Sequence, residues 1–486
     1  MNRVLALHNS LYDRLARPLL FRGSAQAAHE SLLRLLAELD ANALAIHLLK
    51  RIGRAALHPP SVPSAIPPLT LAAGMVKGRG FPDEATALRA IDCGENLIPG
   101  WRSIPALVGP VEFGSFTRWP RLGNPGTVIW RDEPTRSTQN RVGLKNPGAR
   151  AAAAFLARHA AALPPVFGLN IAVSPGVSDP AQERDEVLTS LGFFLEAGLR
   201  PAWFTLNLSC PNTEDDPGGH QTAARARDLC GAVVSRLNHS VTMNDGDTQT
   251  GKQINHRGTE STEGILLQSD DDLTTHPGMK DLTAKAQRTQ SVQDFEPPRR
   301  QERQVFQSSS REAEQQSNRA TEGPFGADPA LTEQHSGSPL PSPQTAGRGA
   351  GGEGAASPIP LWIKISPELG PDQYAGLMQV CAAVGVRAII ATNTLPRPTP
   401  DAPNQMAGVG GGRLHPPALE AVQHLAGARE RLGCAVQIIG CGGVLDGPSA
   451  AAFREAGADA LQYWSALIYR GPLAAAVIQQ ELEPHG

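Results

Sequence analysis

The chain has 486 residues, 41% of them hydrophobic, and a formal net charge of −3. That is ample for a large core and too balanced for a wholly disordered or nucleic-acid-binding protein. Its 13 histidines form no H-E-x-x-H, and the six cysteines (Cys93, Cys210, Cys230, Cys381, Cys434, Cys441) form no C-x-x-C, which argues against a zinc site and a secreted disulfide framework. The cysteines read as reduced thiols in a cytosolic setting, most of them small buried hydrophobes.

No run reaches the ~18 apolar residues that would span a bilayer, and the N-terminus lacks the pattern of a secretory signal. Residues 11–21 (LYDRLARPLLF) and 30–53 (ESLLRLLAELDANALAIHLLKRIG) instead carry leucines at helical spacing, interspersed with Arg14, Arg17, Arg22, Arg34 and Lys50. Periodicity allows two readings: a helical hairpin packed on the main domain, or an amphipathic pair on a membrane surface with its basic residues at lipid headgroups.

Strand-like segments then alternate with helix-like ones. The strands are expected at 69–74 (LTLAAG), 110–117 (PVEFGSFT), 166–173 (VFGLNIAV), 203–210 (WFTLNLSC), 361–367 (LWIKISP), 387–394 (RAIIATNT), 435–443 (AVQIIGCGG) and 459–467 (DALQYWSAL). Eight such alternations predict an α/β fold, a (β/α)8 TIM barrel with an N-terminal helical extension. The competing doubly wound sheet lacks a G-x-G-x-x-G after its first strand. Between the fourth and fifth strands, residues 237–357 turn polar, with no Trp or Tyr. So little apolar surface does not offset ordering entropy, which predicts a disordered insertion, and loop closure makes it cheap to carry. The expected organisation is therefore 1–59 helical extension, 60–236 first half of the barrel, 237–357 insertion, and 358–486 second half.

Active sites of such barrels lie at the C-terminal ends of the strands. Those ends carry Ala73, Gly74 and Lys77, then Ser115, Asn170, and the group Asn207, Cys210 and Asn212. Lys364 lies within the fifth strand, followed at later ends by Thr392, Asn393, Thr394, Gly442, Gly443, Trp464 and Ser465, with Asn140 in the segment after the second strand. Buried polar groups need partners, so this many carboxamides and lysines suits a flat ligand rich in carbonyl and N–H groups. The glycines of IIGCGGV make either a tight turn or a phosphate cradle, as is common near strands seven and eight. Lys364, within WIKIS, either pairs with a carboxylate or places a cation beside an electron-accepting cofactor.

AAGMVKGRG, VEFGSFTRWPRLGNP, QNRVGLKNPG, LNLSCPNT, WIKISPEL, ATNT, GVGGGR, IIGCGGV and QYWSALIYRGP follow in order the motifs of the dihydroorotate dehydrogenases, which this sequence resembles over about 60–236 and 358–486. The resemblance implies FMN and the oxidation of dihydroorotate to orotate in pyrimidine (UMP) synthesis. It places Ala73, Gly74, Ser115, Asn170, Lys364, Thr392, Gly412, Gly442, Gly443, Trp464 and Ser465 against FMN. Lys77, Asn140, Asn207, Asn212, Asn393 and Thr394 would hold the substrate, and Cys210 falls at the catalytic base. The N-terminal segment resembles the extension of the membrane-associated, quinone-using class. That implies quinone as electron acceptor and peripheral association with the cytoplasmic side of the cell membrane; no nucleic-acid or metal partner is expected.

Several positions depart from the family pattern. The base is a cysteine, as in the soluble class, where the quinone class usually has serine. Val76 replaces the usual aspartate, Trp464 the usual tyrosine, and Leu144-Lys145-Asn146 an asparagine-rich stretch. The segment GNPGTVIWR lacks the basic residue common near the quinone tunnel, and IAVSPG lacks the lysine usual after Asn170. Two alternatives stay open: an FMN barrel acting on another cyclic amide, and a catalytically silent flavin protein using the insertion as an interaction arm.

Overall fold

The computed structural model describes residues 3–57, 66–209, 222–247 and 357–482. It opens with α1 (Arg3–Leu11), a π-helical turn (Tyr12–Ala16), α2 (Arg17–Phe21), α3 (Ala25–Ala41) and α4 (Ala43–Ala56). Polar caps set these boundaries. Ser24 Oγ accepts from the Ala27 N–H (3.1 Å), and Asn42, extended between α3 and α4, accepts from Ala45 N–H (3.0 Å).

The extension has an inner side packed on the rest of the chain and an outer side of exposed leucines. On the inner face, buried Asp40 accepts from Gly100 N–H (2.7 Å), Ser103 N–H (2.8 Å) and Asn96 Nδ2 (2.9 Å), tying α3 to the loop before the helix Ser103–Val108. Leu5 packs into a cluster with Ala56, Leu473, Ala476 and Val477, and Tyr12 donates to the Ile468 carbonyl at 2.6 Å. On the outer face Leu7, Leu11, Leu15, Leu19, Leu35, Leu44 and Leu48 are exposed, Leu44 at 78%. No helix among the described residues is long and apolar enough to cross a membrane.

Twelve strands are described: β1 (Leu69–Leu71), β2 (Val111–Phe116), β3 (Ile129–Asp132), β4 (Ser137–Asn140), β5 (Phe167–Ala172), β6 (Trp203–Asn207), β7 (Leu361–Ile365), β8 (Ala388–Ala391), β9 (Leu395–Pro398), β10 (Met406–Gly411), β11 (Gln437–Cys441) and β12 (Ala460–Tyr463). Eight of them close a parallel barrel in the order β1-β12-β11-β8-β7-β6-β5-β2. They are the eight expected segments. The other four form an antiparallel sheet, β3-β4-β10-β9, that sequence reading did not find. LPRP and MAGVGG lack the alternating branched side chains that announce a strand, and the β4–β10 pairing joins segments over a hundred residues apart.

The barrel interior is packed rather than hollow. Trp203 and Trp362 stack at 4.3 Å within it, alongside Ile390, Ile439 and Cys441. Gly168 is required there, because a Cβ would lie 2.1 Å from the Trp203 ring. A larger apolar shell joins the outer strand faces to the surrounding helices.

After β6 the helix Ala223–Asp247 runs past residue 237, where the polar composition begins. Its start is apolar enough to be buried through Ala226, Leu229, Cys230 and Val233, and helix propagation then costs little. The expected disorder of the remaining insertion falls on residues outside those described. On its far side β7 pairs with β6, Phe204 beside Leu361 and Asn207 beside Lys364, so the stretch leaves the barrel register intact.

Candidate functional site

At the C-terminal end of the barrel one cavity is lined by Ala73, Gly74, Lys77, Ser115, Asn140, Asn170, Asn207, Lys364, Thr392, Asn393, Thr394, Gly442, Gly443, Trp464 and Ser465. All of these were singled out from sequence. Cys210 and Asn212 lie outside the described residues. Gly412 is not among the lining residues; a Cβ there would lie 2.1 Å from the Thr135 carbonyl oxygen, and the neighbouring Gly410 and Gly411 do line the cavity.

The antiparallel sheet completes the walls. Pairing of Gly408 with Asn140 holds that asparagine at the end of β4, and Thr138 Oγ1 lies 3.2 Å from Ser465 Oγ. Opposite, the carboxamides interlock. Asn207 Nδ2 donates to Ser115 Oγ (3.4 Å), while Asn207 Oδ1 accepts from Asn393 Nδ2 (3.2 Å) and Ser209 N–H (3.3 Å). Asn393 Oδ1 in turn accepts from Thr394 N–H at 2.8 Å. Each amide is thus fixed by a neighbour before any ligand arrives, which lowers the ordering cost of binding.

Near the glycines the chain makes close turns. A Cβ on Gly443 would lie 2.6 Å from His415 Cβ and 2.7 Å from the Gly411 carbonyl, and both Gly442 and Gly443 have positive φ (136° and 72°). Backbone at such a turn approaches an anion without an intervening side chain. Among the described residues no carboxylate side chain lines the cavity, whereas Lys77 and Lys364 both do. The described part of the lining therefore carries cationic side chains and no anionic ones.

Lys364 is 7% exposed, and its Nζ donates to Gln462 Oε1 at 3.4 Å. Gln462 Nε2 donates to Glu112 Oε2 (3.3 Å), so the carboxylate that sequence reasoning posited lies one side chain behind the lysine. Glu112 is fully buried and also accepts from Asn170 Nδ2 (2.8 Å), Trp203 Nε1 (3.0 Å) and Thr205 Oγ1 (2.7 Å).

Sequence reasoning missed Glu112, Gln462, His29 and Thr138. The signal for the first two was present: each is a lone polar residue in an apolar strand, the same mark that flagged Lys364. His29 carried none, since only the docking of α3 brings it to the cavity. Burial, with help from Lys77 and Lys145, pushes its imidazole down to about 4, so it is neutral at pH 7. The unfolded chain binds this proton near pH 6.5 and the folded chain does not, so stability is lost as pH falls from 6.5 toward 4. The loss assigned to this group is at most about 3 kcal/mol. Urea unfolding across that range is expected to show a shallower decline in His29→Asn than in the parent; parallel declines would place the titration elsewhere.

The departures from the family pattern fall in two kinds of place. Val76 is fully buried in the apolar shell, so it alters packing rather than the cavity. Leu144, at φ 53°, and Trp464 line the cavity itself, whereas Asn146 is buried and bonded to Thr117 and Gly148.

A family model described as dihydroorotate dehydrogenase matches residues 102–485. Curated relatives named dihydroorotate dehydrogenase (quinone) include that of Bordetella pertussis, 41% identical over 119 residues, 24% of this chain and 33% of the relative. That of Alkalilimnicola ehrlichii is 37% identical over 130 residues, 26% of this chain and 37% of the relative. The matched region spans only about a third of these relatives. Among solved structures, a ligand-free DHODH from Eimeria tenella superposes with a TM-score of 0.52 at 18% identity, covering 90% of this chain and 93% of that one. Its ferulenol complex gives 0.50 at 19%, covering 85% and 80%. At such identity this likeness concerns the fold alone.

Proposed function

The chain belongs to the dihydroorotate dehydrogenase family, and from that premise we propose that it oxidises (S)-dihydroorotate to orotate with FMN, in UMP synthesis, and passes the electrons to a quinone. The observation that carries this reading is the meeting of Lys77, Asn140, Asn207 and Asn393 with Lys364 in one cavity that has a glycine-lined end.

The residues fit FMN. Gly410, Gly411, Gly442 and Gly443 offer backbone to a phosphate. Asn170 Oδ1 is buried and has no hydrogen-bond partner among the described residues, which is the kind of acceptor that a ring N–H satisfies. Ala73, Gly74, Ser115, Lys364, Thr392, Trp464 and Ser465 would complete the cofactor's surroundings.

FMN, when bound, would supply the two-electron acceptor for oxidation at ring carbon six of the substrate. Cys210 takes the proton from ring carbon five; a thiol with a reference pKa of about 8.5 is partly ionised near neutrality, so it serves without a histidine partner. Lys364 holds positive charge where electron density accumulates. Lys77 pairs with the substrate carboxylate. Asn140, Asn207, Asn212, Asn393 and Thr394 donate to and accept from the ring amides, fixing orientation without adding charge.

The quinone and the membrane surface are supported by the extension. Its α3 sends His29 to the wall of the catalytic cavity, and its outer face exposes leucines beside Lys50, Arg51 and Arg54, a pattern suited to lying on a bilayer from the cytoplasmic side. Steady-state turnover with dihydroorotate, offering a short-chain quinone, fumarate or NAD in turn, tests the proposal. Quinone is expected to sustain the fastest turnover. Turnover only with fumarate or NAD would overturn the quinone assignment, and none with any acceptor would favour a silent flavin protein.

A further inference from the structure

We propose that Glu112 is a positioning residue that locks the Asn170 side chain with its carbonyl oxygen toward the cofactor cavity. The inference rests on the reading that this cavity holds FMN, and it assigns a task to a carboxylate that lies beneath the cavity without lining it.

The argument follows from which atoms can donate. A carboxylate only accepts, so the carboxamide group facing Glu112 Oε1 at 2.8 Å must be the Asn170 NH2. Asn170 lines the cavity, and with its nitrogen committed inward its remaining polar atom is Oδ1. That atom is buried and unpartnered among the described residues. A buried acceptor left open in this way points to a ligand donor. In oxidised FMN the isoalloxazine ring carries a single N–H, so orienting Asn170 selects one end of the ring.

The other carboxylate oxygen is committed elsewhere. Oε2 accepts from Trp203 Nε1, Thr205 Oγ1 and Gln462 Nε2. The same logic therefore turns Gln462 so that its Oε1 faces Lys364 Nζ. A neutral amide at position 112 keeps these three donors satisfied only if its oxygen takes the Oε2 place. Its NH2 then confronts the NH2 of Asn170. Asn170 must flip, which presents a donor where the cavity had an acceptor.

This chemistry gives a reciprocal test. Full-length parent, Glu112→Gln, Asn170→Asp and the double variant are stripped of flavin, and the FMN dissociation constant of each is read by fluorescence quenching, with thermal unfolding recorded alongside. Glu112→Gln is expected to weaken FMN at least ~10-fold, about the worth of one hydrogen bond. Asn170→Asp, which sets two carboxylates together, is expected to weaken it comparably. In the double variant the new amide at position 112 again donates to the side chain at position 170, net charge is conserved, and an acceptor oxygen again faces the cavity. Its affinity should return to within ~3-fold of the parent. A Glu112→Gln chain that fails to fold while the double variant folds and binds supports the same conclusion. A single variant that keeps parental affinity, or a double variant no better than the weaker single, overturns the proposal. A parent chain that binds no FMN would instead overturn the flavin reading on which it rests.

Discussion

Cys210→Ala is expected to keep FMN and orotate binding while dihydroorotate reduces the flavin at least ~100-fold more slowly, the usual cost of removing a general base. The expectation rests on chemistry as much as on motif position. Among the described residues the cavity wall holds two lysines and a neutral histidine but no carboxylate, so no described carboxylate stands ready to replace the thiol as base. The reduction rate in the parent should therefore rise with pH as the thiol ionises, and level off above about pH 9 for a thiol near its reference value. Rapid-reaction absorbance under anaerobic conditions measures both. Near-parental reduction in the variant would assign the base to another residue.

Lys364→Ala is expected to slow the same step by roughly 100- to 1,000-fold, the range seen when one preorganised electrostatic donor is removed from a water-excluded site. Two consequences of the geometry make the effect large. The cation is lost from a position 7% exposed, where solvent does little to replace it. Glu112 also stays behind, fully buried, with Gln462 no longer held between opposite charges. A buried carboxylate without its compensating cation opposes the gain of electrons nearby. A parental rate in the alanine variant would show that Lys364 only fills space.

Much of this site was legible in the sequence because it obeys a local rule. Polar residues that end otherwise apolar strands, or stand alone within one, have no packing reason to be there; Asn170, Asn207 and Asn393 declared themselves in the first way and Lys364 in the second. Closure of the eight strands into a barrel then brings them to one mouth. What stayed hidden depends on non-local placement. The sheet of β3, β4, β9 and β10 is two local hairpins, the second of glycine- and proline-rich strands, joined by a β4–β10 pairing of segments far apart in the chain, and only that long-range pairing makes them one sheet. Gly412 sits just beyond the cavity-lining Gly410 and Gly411, because a motif fixes the neighbourhood while the turn decides which residues line the cavity. His29 depends on how α3 docks, and that is set by Asp40 capping a loop about sixty residues away. Glu112 was readable in principle, as a single acid in PVEFGSFT, but its partners come from three other strands.

On the proposed function, one cavity joins a flavin to dihydroorotate. Anaerobic addition of dihydroorotate to the purified, flavin-loaded chain tests it most directly. The expected result is a yellow protein whose absorbance in the visible blue is bleached, with one orotate formed per flavin reduced. A flavin-bound protein whose spectrum is unchanged by dihydroorotate would contradict it.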